Sequence, residues 1–563
     1  MSKINSLIEK IDQHKTAVKI IASVVGGTAV AFLLFYIFLP PINLQSEGFW
    51  LYVAVCAAVY ALPFCGLTIN QYTQIIKQAG MPKTRKNHTD LDFNKKVLIP
   101  VAVPIVVLII GTIISSTVFN ARAFAGIIEV KESNFSEDLP ESTEITHIAL
   151  MDTESATVLG NRELGSLSDV VSQYTVSDYY TQINYKNAPK KVSNLEYDGF
   201  FKWFGNRERG IPGMVIVDPV ATKAEYVKFA EPMIYAESAF FGQDLERKLR
   251  FEYPTKIFNS ISFEIDEAGN PYYIVSCSRP QVALFGASDI TEVIIFNPTN
   301  GESEIVSVSD TPSWVDVVYT GYLATEKFNW QGTLSGGFIN SIIGNVGCKQ
   351  ATDDFGYIVI DDDVWYFTGV TSVVSNDKSN IGFILSNART GEYKFYPVIG
   401  AEEHSAMAAA EGEVQEKGYV ASFPSLVNIS GQPTYIMVLK DAAGVVKLYA
   451  LVNVENYSIV ATGATQADAM SAYKKLLRQS NIDTGTSDEN REIEVIDIRI
   501  AMVSGVSTVY ITAQDKTVYK GYLEADEALI LIRVGDVISV NASNSDIEHI
   551  YLINSWEFVS SID

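Results

Sequence analysis

Three long apolar runs open the chain, and a shorter rhythm takes over after them. Residues 20–39 (IIASVVGGTAVAFLLFYIFL), 49–69 (FWLYVAVCAAVYALPFCGLTI) and 97–119 (VLIPVAVPIVVLIIGTIISSTVF) contain no charged side chain. Roughly 20 apolar residues, rising ~1.5 Å each, cross a hydrocarbon core of ~30 Å. The pattern therefore predicts three transmembrane helices within residues 1–120. From residue 144 onward the hydrophobic period shortens to two, which predicts strands such as MVIVDPV (214–220), PYYIVSC (271–277), TEVIIFN (291–297), VWYFTGV (364–370) and EYKFYPV (392–398). Helices are predicted at about 196–206, 237–250, 402–417 and 465–479. Polar stretches at 132–143 and 480–491 read as linkers, and 492–563 is almost all short strands, as in a small barrel of the OB or SH3 kind. The expected fold class is a three-helix transmembrane region, then an α+β region of mainly antiparallel sheets, then a small all-β barrel-like domain.

Charge gives the runs a direction. The N-terminal stretch carries Lys3, Lys10, Lys15 and Lys19, and the second loop carries Lys77, Lys83, Arg85, Lys86, Lys95 and Lys96, whereas residues 40–48 carry no Lys or Arg. Basic loops stay on the cytoplasmic side, so the reading is a multi-pass protein of the cell membrane. Its N-terminus is cytoplasmic and its large C-terminal region extracytoplasmic. No Asp, Glu, Lys, Arg or His interrupts the runs, which argues against a transporter. The whole chain is acidic, at −24, and unevenly so. Residues 1–120 hold ten basic and five acidic side chains; the remainder holds 32 basic and 61 acidic. Nucleic acid is excluded as a partner, because phosphate contacts need clustered Lys and Arg.

An internal repeat organises the middle of the chain. One copy spans about 236–308 and the other about 402–462. Each opens on a helix (AESAFFGQDLERKL; EEHSAMAAAEGEVQEK), then carries an aromatic–proline pair, Tyr253-Pro254 against Phe423-Pro424. A tight turn into a strand follows, Gly269-Asn270-Pro271 against Gly431-Gln432-Pro433, and a later strand ends on Asn (TEVIIFN; KLYALVN). The turns NPTNGE (297–302) and NARTGE (387–392) share one form, although the second precedes its helix. On these residues the two copies resemble PepSY modules, small helix-plus-sheet units of bacterial exported and membrane proteins. The resemblance covers about 130 of the 563 residues. It implies a module for interaction or inhibition, with no catalytic residues to carry over. The domain boundaries expected are 1–120 for the transmembrane helices, 121–235 for a membrane-proximal α+β domain and 236–325 for the first module. Residues 326–480 hold a sheet extension with the second module, and 492–563 the barrel.

Candidate chemistry is sparse. His147, His404 and His549 lie in no HExxH and share no ligand spacing. There is no GxSxG elbow and no phosphate loop. Asp361, Asp362 and Asp363 form an acidic run at a strand end, a weak candidate for a cation; no metal or cofactor is otherwise expected. Cys277 and Cys348 are the one pair beyond the apolar runs available for a disulfide. The segment YDGFFKWFGNRERG (197–210) stands out, because Phe200, Phe201, Trp203 and Phe204 cannot all face one stripe of a helix whose neighbours point ~100° apart. Phe200, Trp203 and Phe204 are therefore the candidate binding residues. Together these readings predict a membrane-anchored extracytoplasmic scaffold or protein-interaction subunit of a bacterial envelope complex, non-catalytic and without a cofactor. Its partners are other envelope proteins or further copies of itself, with the bilayer held through the three helices. The alternatives are an enzyme acting on envelope polymers through unidentified carboxylates, or a membrane sensor.

Overall fold

The computed structural model describes residues 20–61, 88–139, 153–360, 362–374, 379–442, 444–480, 491–503, 506–523, 526–544 and 550–560. Residues 62–69 of the second apolar run, the basic loop up to residue 87, residues 140–143 and 481–490 of the predicted linkers, His147, His549 and Asp361 lie outside them.

Within the described residues the apolar runs are helical over Ser23–Phe38 and Glu47–Ala61, and the third run bends by 55° between Ile99–Ile114 and Thr117–Ala125. Among the described residues no single helix is long and apolar enough to cross a membrane. The three-helix transmembrane region, the transmembrane character and the multi-pass membrane placement expected from the sequence are corrected accordingly. The physical reason lies in what the runs pack against. Ser116 leaves the helix in an extended conformation, and Ser115 Oγ accepts the N–H groups of Leu284 (3.1 Å) and Phe285 (2.9 Å) at a hairpin tip. Past the bend, Phe124 packs edge-on against Trp330 in a cluster with Ala121, Val282 and Leu334. The loop after the first helix is tied down as well, with Ile42 N–H donating to Pro254 O at 2.7 Å and Phe35 meeting Phe251. Outward side chains such as Phe38 and Phe119 stay exposed.

Four times in succession the chain then lays down a helix and a four-stranded antiparallel meander. Unit one comprises α1 (Thr153–Gly165), β1 (Thr181–Asn184), β2 (Pro189–Tyr197), β3 (Ile211–Asp218) and β4 (Lys223–Met233), with α2 (Phe200–Asn206) between β2 and β3. Unit two is α3 (Leu245–Glu252), β5 (Ile257–Ile265), β6 (Pro271–Val282), β7 (Gly286–Phe296) and β8 (Ser303–Ser307). Unit three is α4 (Gly321–Leu334), β9 (Gly356–Ile360), β10 (Asp363–Ser372), β11 (Gly382–Asn387) and β12 (Tyr393–Tyr396). Unit four is α5 (Glu403–Glu413), β13 (Ser425–Ile429), β14 (Gln432–Lys440), β15 (Val446–Asn453) and β16 (Val460–Gly463), followed by α6 (Gln466–Gln479).

The same local chemistry closes each unit. The third strand always runs into an Asp or Asn, as its last residue or the next, whose side-chain oxygen folds back on the turn that starts the fourth strand. Asp218 Oδ1 accepts Val220 N–H (2.9 Å), Asn297 Oδ1 accepts Thr299 N–H (2.9 Å), Asn387 Oδ1 accepts Arg389 N–H (2.9 Å) and Asn453 Oδ1 accepts Asn456 N–H (2.7 Å). The two copies seen in the sequence are units two and four, and Pro271 and Pro433 open their second strands opposite Ile265 and Asn428. NARTGE precedes a helix because it is the closing turn of unit three. The period of two also sorts core residues. On β14, Tyr435, Met437 and Leu439 pack toward α5 and unit three, whereas Ile436 and Val438 pack under α6 with Tyr473. Each such side chain contributes ~1.5–3 kcal/mol through burial.

The units form a ring with their first strands inward: β1 lies against β5 and β10, and β9 against β13. Unit four returns to unit one where Lys440 Nζ donates to Ser155 Oγ on α1, at 3.1 Å. Sheets radiating from a shared centre are a propeller-like arrangement. A closed barrel follows, of β17 (Arg491–Val503), β18 (Val506–Ala513), β19 (Val518–Tyr522), β20 (Val537–Asn544) and β21 (Ile550–Ser560). Its order is β17-β18-β19-β21-β20, with β19 and β21 parallel and the other pairs antiparallel. That order is the OB arrangement.

Candidate functional site

The aromatic segment splits between surface and core. Gly199, at φ +87°, turns the chain into α2. Phe200 and Phe204, four residues apart, stack on one face, while Phe201 is 86% exposed. Trp203 turns inward, 5% exposed, and its indole N–H donates to Gln243 Oε1 at 2.9 Å. Of the three predicted binding residues, Trp203 is therefore structural. The sequence reading missed Phe240 and Phe241, which extend the exposed platform beside Phe200. The pair was visible in ESAFFGQD but was absorbed into a predicted helix; Phe241 is instead held at φ +54°. Arg207 lies over the Phe204 ring at 4.3 Å.

The other predicted residues have structural duties. Asp363 is clamped by Arg389 (Nη2 at 2.6 Å, Nε at 2.9 Å) and by Asn387 Nδ2. Asp362 receives Asn184 Nδ2 on both its backbone and side-chain oxygens. Among the described residues no three His, Cys, Asp or Glu side chains gather as a metal site. Cys277 and Cys348 are both buried free thiols, so the candidate disulfide is corrected. Cys277 sits within β6, where burial pushes its thiol up to about 12, and Cys348 bonds within its own neighbourhood, to Thr333 O and Asn340 Nδ2.

What the sequence did not show is a cavity of about 840 Å³ at the centre of the ring, with walls from all four units. Unit one contributes Thr181, Gln182 and Lys191; unit two, Phe263 and Tyr273; unit three, Tyr357 and Tyr366; unit four, Phe423 and Ser425. Tyr179 and Tyr322, exposed by 80% and 81%, stand at its mouth. Asp178, Glu237, Glu246 and Asp354 are exposed there too. Glu237 keeps access to solvent, yet desolvation by the walls and the carboxylates of Glu196, Glu246 and Asp244 push it up to about 7. Deeper in, the Lys191 ammonium lies 4.9 Å from the Tyr357 ring centre and 3.4 Å from Thr153 Oγ1. Three buried polar atoms on lining side chains, the hydroxyls of Tyr180 and Tyr273 and Gln182 Oε1, have no hydrogen-bond partner among the described residues. The Gln182 amide is oriented by its nitrogen, which donates to Lys190 O (3.1 Å) and Ile183 O (3.4 Å), so the unpaired atom is the acceptor.

Behind the cavity a buried acidic chain joins three units. Glu264 at the end of β5 accepts the N–H groups of Asp316 (2.8 Å) and Val317 (3.0 Å). Asp316 accepts Asn184 N–H from β1 (2.9 Å), and Asn184 reaches Asp362 in the β9–β10 turn. Burial lifts both carboxyls above the usual carboxylate range; Asp316 is held higher still by its like-charged neighbours, whereas the hydrogen bonds to Glu264 pull it partway back. Glu403 does similar work between units three and four, accepting Gly369 N–H (2.6 Å) and Thr352 Oγ1–H (3.1 Å), and burial pushes it up to about 7.

No known protein family matches the chain, and neither does any curated protein. Among solved structures, the chain is 8% identical to an ACO/RPE65 chimera (TM-score 0.12) and 8% identical to cobalt-substituted Synechocystis ACO (TM-score 0.13). The matches cover 53% and 52% of this chain, and the chain spans about half the length of each, 50% and 52%. A likeness of that degree carries no argument about fold or function.

Proposed function

We propose that this chain is a non-catalytic binding protein that holds a small ligand at the centre of its four-unit ring. The observation that carries this reading is the cavity: its size falls within the ~300–1,000 Å³ of ligand sites, and every unit supplies part of its wall. Among the described residues no His or Cys lines it, and the resemblance of two units to PepSY modules also favours binding over chemistry. The test is a thermal-shift screen of the full chain against small organic molecules, repeated on Thr181→Trp, which fills the cavity from β1. A ligand at 100 times its Kd adds ~2.7 kcal/mol of stability, and that gain should vanish in Thr181→Trp. Gains that persist in the filled variant, or a screen with none, overturn the reading.

The exposed platform of Phe200, Phe201, Phe204, Phe240 and Phe241 favours a second role, contact with a protein partner as a scaffold subunit. Aromatic side chains are typical anchors of interfaces, and a chain at −24 is complemented by a basic protein rather than by its own copy. Phe201→Ala with Phe204→Ala should abolish co-purification of such a partner and leave the Tm unchanged. Undiminished co-purification removes this role.

A further inference from the structure

We propose that the ligand of the central cavity is an organic ammonium, a protonated primary or secondary amine carried on an apolar body. The inference rests on the cavity being the binding site and goes on to name the chemistry it selects.

Among the described residues the charged lining side chains are Asp178, Glu237, Glu246 and Asp354 against Lys191 alone, so an entering anion meets a net repulsive mouth and a cation an attractive one. Acidic side chains by themselves mark only a solvated surface. Here they are interleaved with rings: Tyr179 and Tyr322 stand open at the same mouth, and Phe263, Tyr273 and Tyr366 line the interior. A ring face attracts an ammonium within ~6 Å, and more strongly where water is thinned out. The protein already makes that contact with its own cation, since Lys191 Nζ sits 4.9 Å from the Tyr357 ring centre. Lys191 also meets Thr153 Oγ1, so it is engaged with the wall rather than standing as a receptor for an anion.

The second, independent observation is the set of unmatched polar atoms on Tyr180, Gln182 and Tyr273. Gln182 is 2% exposed and Tyr273 1% exposed, and buried polar atoms in folded proteins nearly always find partners. Gln182 Oε1 is an acceptor whose amide is fixed by two backbone carbonyls, so it calls for an N–H or O–H donor from the ligand. A protonated amine supplies that donor, the charge for the mouth and, on its body, the apolar surface for the rings. A quaternary ammonium lacks the donor, and an alcohol lacks the charge.

Isothermal titration of the full chain at low salt with 2-phenylethylamine, 2-phenylethanol and 3-phenylpropionate separates these properties on one apolar body. The amine is expected to bind at least tenfold tighter than the alcohol, and the carboxylate weakest. Glu237→Gln combined with Asp354→Asn is expected to weaken the amine at least fivefold and leave the alcohol unchanged. Thr181→Trp is expected to abolish binding of the amine; Ser262→Leu on the adjoining wall replaces it if circular dichroism shows Thr181→Trp misfolded. Should the alcohol or carboxylate bind as tightly as the amine, and lose binding on filling, the ammonium assignment falls while the cavity remains the site. Should no probe show binding that responds to filling, both fall.

Discussion

At the scale of single residues, neighbouring aromatic positions carry opposite duties. Trp203 fills space beneath α2 and satisfies its indole N–H on Gln243, whereas Phe201, two residues earlier, points into solvent. Trp203→Ala should therefore cost ~3–5 kcal/mol, the usual loss for a buried large ring. Phe201→Ala should stay within ~0.5 kcal/mol. Denaturant unfolding of the two variants measures both, and equal losses would show that α2 packs differently. The sequence announced that this helix could not bury every ring, because successive side chains diverge by ~100°. It could not say which ring turned inward. That choice depends on Gln243, forty residues away in the segment that joins units one and two.

At the scale of elements, the unit is a helix, a meander and a turn closed by Asp or Asn. Asn387 and Asp218 each make three side-chain bonds, but Asn387 is 2% exposed and the Asp218 side chain 29%. Asn387 accepts Arg389 and Thr390 N–H and donates to Asp363, whereas Asp218 accepts Val220 N–H, Ala221 N–H and Lys190 Nζ. Asn387→Ala removes all three bonds within a buried site, and each buried group left unpaired costs ~1–3 kcal/mol. The loss should exceed that of Asp218→Ala, whose turn is more open, by at least ~1 kcal/mol in thermal unfolding. Two of the four units were legible in the sequence, through Gly-Pro turns and strands ending on Asn. The other two escaped because their linking features differ. Unit one closes on Asp218-Pro219, and unit three opens through a tight turn at Asp362, φ +75°, where the others use Gly or Asn. Length and apolarity alone misled at the N-terminus, since a run of 20 apolar residues does not reveal a break. The bend at Ser115–Ser116 depends on the distant Leu284–Phe285 hairpin tip that receives it.

At the scale of the whole molecule, the cavity exists only because four units that are separate in sequence close into a ring, which is why no local pattern announced it. The same closure buries Glu264, Asp316 and Glu403 at the joints between units, and this sets a pH dependence. Each has a folded-state pKa raised above its unfolded value. The folded chain therefore keeps protons that the unfolded chain releases above about pH 4. Their contribution is fully present below that range and is lost as pH rises through neutrality. One pKa unit corresponds to ~1.4 kcal/mol, so Glu403 alone, moved from 4.5 to about 7, accounts for roughly 3 kcal/mol between acid and neutral pH. Asp316 also faces Asp362 and Asp363, and Tyr366 stands close to both Glu264 and Asp316, so deprotonation there adds charge to an already acidic joint. Denaturant midpoints should fall from pH 5.5 to 8.5, with β-strand signal and tryptophan fluorescence falling together because the joints link successive units. Asp316→Asn combined with Glu403→Gln should flatten the slope, since an amide keeps the acceptor oxygen that meets Asn184 or Gly369 without the charge. A double variant with the slope of the natural chain would place the titration elsewhere and leave the joints as neutral hydrogen-bond hubs.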